Sequence, residues 1–480
     1  MTRWFGVVLA VVTLATGACS AAPSRSAGPE WSPCQDVATD GRVWECATIT
    51  APRDHRDPGA GTIELALIRT RGADPAKRLG SLVYNPGGPG GSGLDTVAGV
   101  VQPFSALLDR YDLVSWDPRG VGRSTPVVCS DTALPERVPR TDAEWAAIDA
   151  SSEQFADSCV ASSGALLPHV GLFDSARDLD LVRAAVGEDQ LNYLGVSYGG
   201  QLGAAYATLF PHRVGRMLLD APGTPLRTFR QSLLDQAIGS EAALRDFLAF
   251  CVAQGDCPLG ATEQEALSRV DAFLASIEAA PLPTGRGTPL TRSVATAALG
   301  LGAAAPEAWP RLTTAVTQAF AGNGDELIGY ADLFAGLRPD GTRSNFAAIN
   351  TAANCADYPD SYSVAQVRQL LPEFAAAAPR FGELTALRLA ECAHWPVHGV
   401  GRASLGGAGA APILLIGNTG DPEAPFTWVS ELAAALPSAT LLTYHGVGHG
   451  AYGGVNPCVD QTVHAYFHRG SVPAPGRSCP

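Results

Sequence analysis

From about Cys46 onward the chain alternates short apolar runs with stretches of helical character. The apolar runs fall at 81–85, 111–116, 191–196, 216–220, 412–417 and 439–444, and each stops at a turn or a loop. Strands that alternate with helices predict a mostly parallel sheet covered on both faces. Most of the turns carry glycine or polar residues, as the carboxyl edge of such a sheet does where a ligand sits. The strand rhythm stops after Pro222 and resumes near Ala410, and between them 231–254, 263–279 and 364–378 read as helices. The pattern therefore predicts a core in two parts, 34–222 and 411–480, with a helical cap at 223–410 roofing the carboxyl edge. No repeat at solenoid spacing is present.

The 480 residues, 46% hydrophobic and 17% charged, are enough for one large core with an inserted domain. A formal charge of −14 without any Lys/Arg run excludes nucleic acid as a partner, because its phosphates would be repelled. Lys77 is the sole lysine, so the positive charge is almost all arginine. The first residues read as an export signal: Arg3, an apolar run over 4–14 too short to cross a bilayer, then Thr16-Gly17-Ala18-Cys19. Small residues before Cys19 resemble a bacterial lipobox, with Thr16 where leucine is commoner. The expectation is a signal at 1–19, a flexible tether at 20–33, and membrane contact only through a lipid on Cys19, for a protein secreted or anchored to the outer face of the membrane. Eleven cysteines less Cys19 leave ten, the even number that five disulfides in an oxidising compartment require. Neighbour pairing (34–46, 129–159, 251–257, 355–392, 458–479) is the simplest arrangement, although spacing does not fix connectivity. With no Cys-x-x-Cys pair and no Cys/His cluster, neither metal nor cofactor is expected.

The chemistry gathers at three of the predicted turns. Gly195-Val196-Ser197-Tyr198-Gly199 joins a strand to the helix-like 201–210 and places Ser197 at the tip of a sharp turn, where side chains at either flanking glycine would strike the neighbouring strand or helix. A serine hydroxyl needs a base, and the base needs a carboxylate to orient it. Asp421 follows the strand at 412–417, and His449, set between glycines, follows the strand at 439–444. Ser, Asp, His is the chain order of the α/β-hydrolase fold. Glu423, two residues on, competes with Asp421 for the acid role. The loop Asn85-Pro86-Gly87-Gly88-Pro89-Gly90-Gly91-Ser92-Gly93 suits an oxyanion hole, and the expected donors are the N–H groups of Gly88 and Tyr198. No Gly-Lys-Ser/Thr follows it, which excludes a phosphate-binding loop. Asp117 to Ser124 reads as an Asp/Arg network bracing the loops around the nucleophile.

Together Gly87-Gly88-Pro89-Gly90-Gly91, Asp117-Pro118-Arg119-Gly120-Val121-Gly122-Arg123-Ser124 and Gly195-Val196-Ser197-Tyr198-Gly199-Gly200 resemble the prolyl-iminopeptidase clan of serine peptidases. The disulfide set, the segment from Phe173 to Asp180, Cys355-Ala356-Asp357-Tyr358 and Cys392-Ala393-His394-Trp395 look more like its secreted actinobacterial branch, which holds the tripeptidyl aminopeptidases. The resemblance runs from about Cys46 to Cys458 and departs at Gly200, where that branch more usually has threonine, and at Pro86, where the clan has histidine. It implies removal of residues from a peptide with a free N-terminus, the amine being gripped by acids of the cap. Asp357 is the residue expected to do so, with Glu383 and Glu391 as alternatives. An esterase or lipase with the same triad is the rival reading.

Overall fold

The computed structural model describes residues 1, 28–35, 41–130, 135–338, 341–399 and 404–480, so Cys19 and the lipid attachment expected there lie outside the described residues. Ten strands form one sheet: β1 (Ser32–Pro33), β2 (Trp44–Pro52), β3 (Thr62–Thr70), β4 (Gly80–Asn85), β5 (Tyr111–Trp116), β6 (Leu191–Val196), β7 (Val214–Asp220), β8 (Ile413–Gly420), β9 (Ala439–Val447) and β10 (Ser478–Cys479). Their order is β1-β2-β3-β5-β4-β6-β7-β8-β9-β10. The first three strands are antiparallel, as is β3 against β5, and every later pairing is parallel. This is the expected α/β-hydrolase fold with a mostly parallel sheet.

Successive residues of a strand face opposite sides of the sheet. Leu194, Leu218, Leu414 and Ile416 pack on one side, while Tyr193, Leu219, Ile413 and Leu415 pack on the other. Burial on both sides is why these strands read as unbroken apolar runs. The strands at the two ends of the sheet, β1, β2, β3 and β10, were not legible. β2 is half-exposed along most of its length and mixes polar with apolar residues, and β10 is two residues tied down by the Cys458–Cys479 disulfide.

Between β7 and β8 the chain is helical, as expected. The helices are Phe229–Ala253, Glu263–Ala279, Arg292–Ala303, Trp309–Phe320, Asp325–Phe334, Phe346–Asp357, Val364–Ala377 and Gly382–Leu387. Thr228 with Gln231, and Ser363 with Gln366, form capping boxes that satisfy the free N–H groups opening two of them. The insert is not one body. Leu244, Phe247, Val270 and Leu312 make a core of their own, whereas Ile349, Ala352, Phe374 and Trp395 join the core beneath the sheet. Five disulfides pair neighbouring cysteines: Cys34–Cys46, Cys129–Cys159, Cys251–Cys257, Cys355–Cys392 and Cys458–Cys479. Among the described residues no helix is long and apolar enough to cross a membrane.

Candidate active site

Ser197 sits between β6 and the helix Tyr198–Leu209, at φ 59° and ψ −125°. A non-glycine residue there stores on the order of 1–3 kcal/mol of strain, so the surroundings must hold it. They do so through the backbone: the Ser197 N–H donates to the Asp220 carbonyl (3.0 Å), and the Ser197 carbonyl accepts from Gly200 (2.9 Å) and Gly223 (3.0 Å). The two flanking glycines are steric necessities. A Cβ on Gly195 would lie 2.3 Å from the Gly199 oxygen, and one on Gly199 would lie 2.5 Å from the Asn85 oxygen. Gly200 has the same kind of cause, because a Cβ there would lie 2.6 Å from Pro222 Cβ. Its departure from threonine is thus matched by a proline across the contact.

The glycine loop after β4 presses on this turn, and a Cβ on Gly87 would come within 2.5 Å of the Val196 oxygen. Two of the loop's amides are committed, Gly87 N–H to Asn85 Oδ1 (3.0 Å) and Gly91 N–H to the Gly87 carbonyl (3.0 Å), while Pro86 and Pro89 have none to give. Gly88 N–H has no protein partner among the described residues. Tyr198 opens its helix, where an N–H has no partner within the helix, and both Gly88 and Tyr198 line the cavity above Ser197.

His449 Nδ1 lies 3.0 Å from each carboxylate oxygen of Asp421. The Asp421 side chain is fully buried, and its Oδ1 also accepts from the N–H groups of Glu423 and Ala424 (both 2.9 Å). The imidazole is therefore paired with Asp421 and not with the competing Glu423. Burial alone would lower the pKa of His449, but the charges of Asp421, Glu423 and Asp220 outweigh it and raise the value to about 9. Ser197 and His449 face the same cavity and are not hydrogen bonded to each other. Such bonds commonly tighten only with substrate in place.

Two residues that sequence reasoning missed fix the loop carrying His449. Asn418 Nδ2 donates to the carbonyls of Gly448 (2.8 Å) and Gly450 (2.9 Å), on either side of the histidine. Asp220 accepts from the N–H groups of Ala451 and Tyr452, and burial pushes its pKa up to about 6. The available signal was a polar residue ending an apolar strand, in β8 and in β7. The Asp117 segment braces loops as expected: Asp117 accepts from Ser92 (2.6 Å) and from the Arg123 N–H (2.7 Å), while Arg119 pairs with the buried Asp178.

None of the three acids suggested for gripping an amine reaches the cavity. Asp357 accepts from the Leu172 N–H (2.6 Å) and the Tyr198 hydroxyl (2.7 Å), Glu383 pairs with Arg140 at the surface, and Glu391 is occupied by Thr351 and Arg388. Three other carboxylates do line the cavity: Asp220, held by the Ala451 and Tyr452 N–H groups, the exposed Glu307, and Glu423, which stands close to His449. Among the described residues the one side-chain hydrogen-bond donor to Glu423 is Gln236, at 3.5 Å, with the charges of His449 and Arg388 acting on it more weakly than burial does. Burial raises its pKa, which marks a charge short of compensation.

A parallel sheet with serine on the strand–helix turn, and an aspartate–histidine pair facing it across the carboxyl edge, define a serine hydrolase of the α/β-hydrolase fold. A family model described as TAP-like protein matches residues 378–479. The chain is 32% identical over 483 residues to the serine protease Hip1 of Mycobacterium tuberculosis, covering 96% of this chain and 92% of that one. It is 32% identical over 485 residues to a tripeptidyl aminopeptidase of Streptomyces coelicolor (96% and 88% covered), and 32% identical over 490 residues to a carboxylesterase B of M. tuberculosis (96% and 91% covered). The chain belongs to this TAP-like family of serine hydrolases.

Proposed function

We propose that the protein is an exported serine exopeptidase that releases short peptides or single residues from peptide N-termini through an acyl-enzyme on Ser197. The observation that carries the reading is the under-compensated carboxylate of Glu423 in the same cavity as Ser197 and the His449–Asp421 pair. A buried carboxylate in that position seeks a cation, and the free α-ammonium group of a peptide supplies one. The relatives named serine protease and tripeptidyl aminopeptidase support the same reading. The cavity holds about 1180 Å³, beyond the roughly 300–1,000 Å³ of small-ligand pockets, which leaves room for more than one residue on the acyl side. Five disulfides favour an oxidising compartment, and we assign 1–19 as an export signal with a lipid on Cys19.

In the mechanism His449, oriented by Asp421, takes the proton from Ser197 Oγ as that oxygen attacks the scissile carbonyl. The N–H groups of Gly88 and Tyr198 receive the developing oxyanion. As the tetrahedral intermediate collapses, protonated His449 gives its proton to the leaving amine and the N-terminal fragment stays esterified to Ser197. Water, deprotonated by His449, attacks the ester, and the second collapse returns the proton to Ser197.

Glu423→Gln tests the amine site. We expect KM for free-amine peptides to rise about 10- to 100-fold, the loss of a charged hydrogen bond, with kcat changed far less. N-acetylated peptides, poor substrates of the wild type, should respond little to the change. The second reading, an esterase, is favoured by the relative named carboxylesterase B. Equal turnover of free-amine and acetylated peptides, beside faster turnover of simple esters, would select it.

The pH profile follows from His449. The base acts when neutral, so with a pKa of about 9 the kcat/KM for an ester lacking an amine should climb roughly tenfold per pH unit up to about pH 9 and then level. A peptide must also keep its α-amine charged, with a pKa of about 8, so its profile should fall again on the alkaline side. An ester profile already flat by about pH 7 would refute the electrostatic account of His449.

A further inference from the structure

One helix of the insert, α1 (Phe346–Asp357), reaches both proposed oxyanion donors. Near its start Asn350 donates from Nδ2 to the Pro89 carbonyl in the glycine loop (2.9 Å). The orientation of that amide is fixed, because its Oδ1 accepts from Asn354 (3.1 Å) and Arg388 (3.2 Å). At the helix end Asp357 accepts from the Tyr198 hydroxyl (2.7 Å) and from the Leu172 N–H (2.6 Å), where another core helix begins. Asn350 and Asp357 are seven residues apart, about two turns, and so lie on one face of α1. The same face touches the loop directly. A Cβ on Gly90 would lie 2.6 Å from Ile349 Cγ2, and one on Gly88 would lie 3.3 Å from the Phe346 ring.

We infer that α1 is the positioning element of the oxyanion hole, with Asn350 and Asp357 as positioning residues that hold the Gly88 loop and Tyr198 at the spacing at which both N–H groups meet one oxygen. The inference rests on the assignment of Gly88 and Tyr198 as the donors. Its physical basis is that such donors work only when preorganised, and a displacement near 1 Å costs on the order of 100-fold in rate. The amides themselves have no side chain to remove, whereas their anchors do. Burial pushes the Asp357 carboxyl up to about 7, and its two donors on separate helices hold it in place.

The test uses the full chain carrying Tyr198→Phe, Asn350→Ala, Asp357→Asn, Asp357→Ala or the double variant Tyr198→Phe/Asp357→Ala. Measured are kcat and KM on a chromogenic free-amine peptide, inhibition by a peptide boronate that mimics the tetrahedral intermediate, and thermal unfolding. The expected result is a loss in kcat of about 10- to 100-fold for Tyr198→Phe and Asn350→Ala, with KM within about twofold. Boronate affinity should fall in step with kcat/KM. The double variant should be no worse than its more damaging member, because Asp357 acts through Tyr198. Asp357→Asn, which keeps an acceptor for Leu172, should fall between wild type and Asp357→Ala. Tyr198→Phe removes a single hydroxyl and answers the question even if Asp357→Ala fails to fold. Folded Tyr198→Phe and Asn350→Ala variants with wild-type kcat and boronate affinity would overturn the inference. Turnover that survives Ser197→Ala would instead overturn the site assignment beneath it.

Discussion

Replacing Ser197 by alanine should lower kcat by a factor on the order of 10⁶ while leaving the fold and KM nearly unchanged. The size of the loss follows from the acyl-enzyme route: without Oγ there is no atom to attack the carbonyl, and the remaining oxyanion donors and binding contacts supply only about 10³–10⁴ over water. The fold should survive because the turn is held by main-chain bonds to Asp220, Gly200 and Gly223, none of which uses the hydroxyl. Alanine does inherit the positive φ of this site, so a slight loss of stability would be no surprise and is separable by thermal unfolding. Labelling by a fluorophosphonate gives an independent reading: wild type labels at one residue and Ser197→Ala not at all. Near-normal hydrolysis by the alanine variant, or labelling elsewhere, would sink the assignment of the nucleophile.

Asp421→Asn should lower kcat about 10⁴-fold, because an amide facing His449 Nδ1 stabilises the wrong tautomer and cannot stabilise the imidazolium. The same substitution at Glu423 should act mainly on KM. The two acids are two residues apart and both lie close to the imidazole, yet only Asp421 bonds to Nδ1. A loss in kcat at Glu423 equal to that at Asp421 would reverse the roles of the two carboxylates. Because Asp421 also caps the N–H groups of Glu423 and Ala424, its variant should be somewhat less stable. The kinetic loss must therefore be measured on protein shown to be folded.

How much was legible in the sequence depended on how local the cause was. The parallel strands, the nucleophile turn and the aspartate and histidine turns are written in short runs, since two-sided burial and close backbone contact each constrain residues near one another. The neighbour pairing of the disulfides stayed open until the structure showed it, but the even count of cysteines made five bridges readable. The braces were not. Asn350 meets Pro89 across 261 positions and Asp220 meets Tyr452 across 232, so even where a polar strand end offered a signal, as at Asp220, no local pattern named the partner. Asp357 illustrates the hazard most clearly. The family resemblance singled it out as an acid that matters, but its partners, Tyr198 and Leu172, lie in the core, 159 and 185 positions away, and they turn it from the cavity towards the nucleophile helix. Glu423 was noticed only as a rival to Asp421, because nothing in its neighbours announced that it would face the cavity.

The division of the insert between two cores bears on how this scaffold diversifies. The stretch around Leu244, Val270 and Leu312 packs mainly on itself, whereas the stretch around Ile349, Phe374 and Trp395 shares its packing with the sheet. Substitutions, insertions or recombination in the former reshape the roof of the cavity and meet the catalytic loops chiefly where Pro306 and Ala304 abut Gly448 and where Val447 packs on that core. The latter evolves under the same constraint as the strands, because what packs there also holds the reacting centre. Selectivity and catalysis are thus heritable separately within what looks, along the chain, like one continuous run of helices.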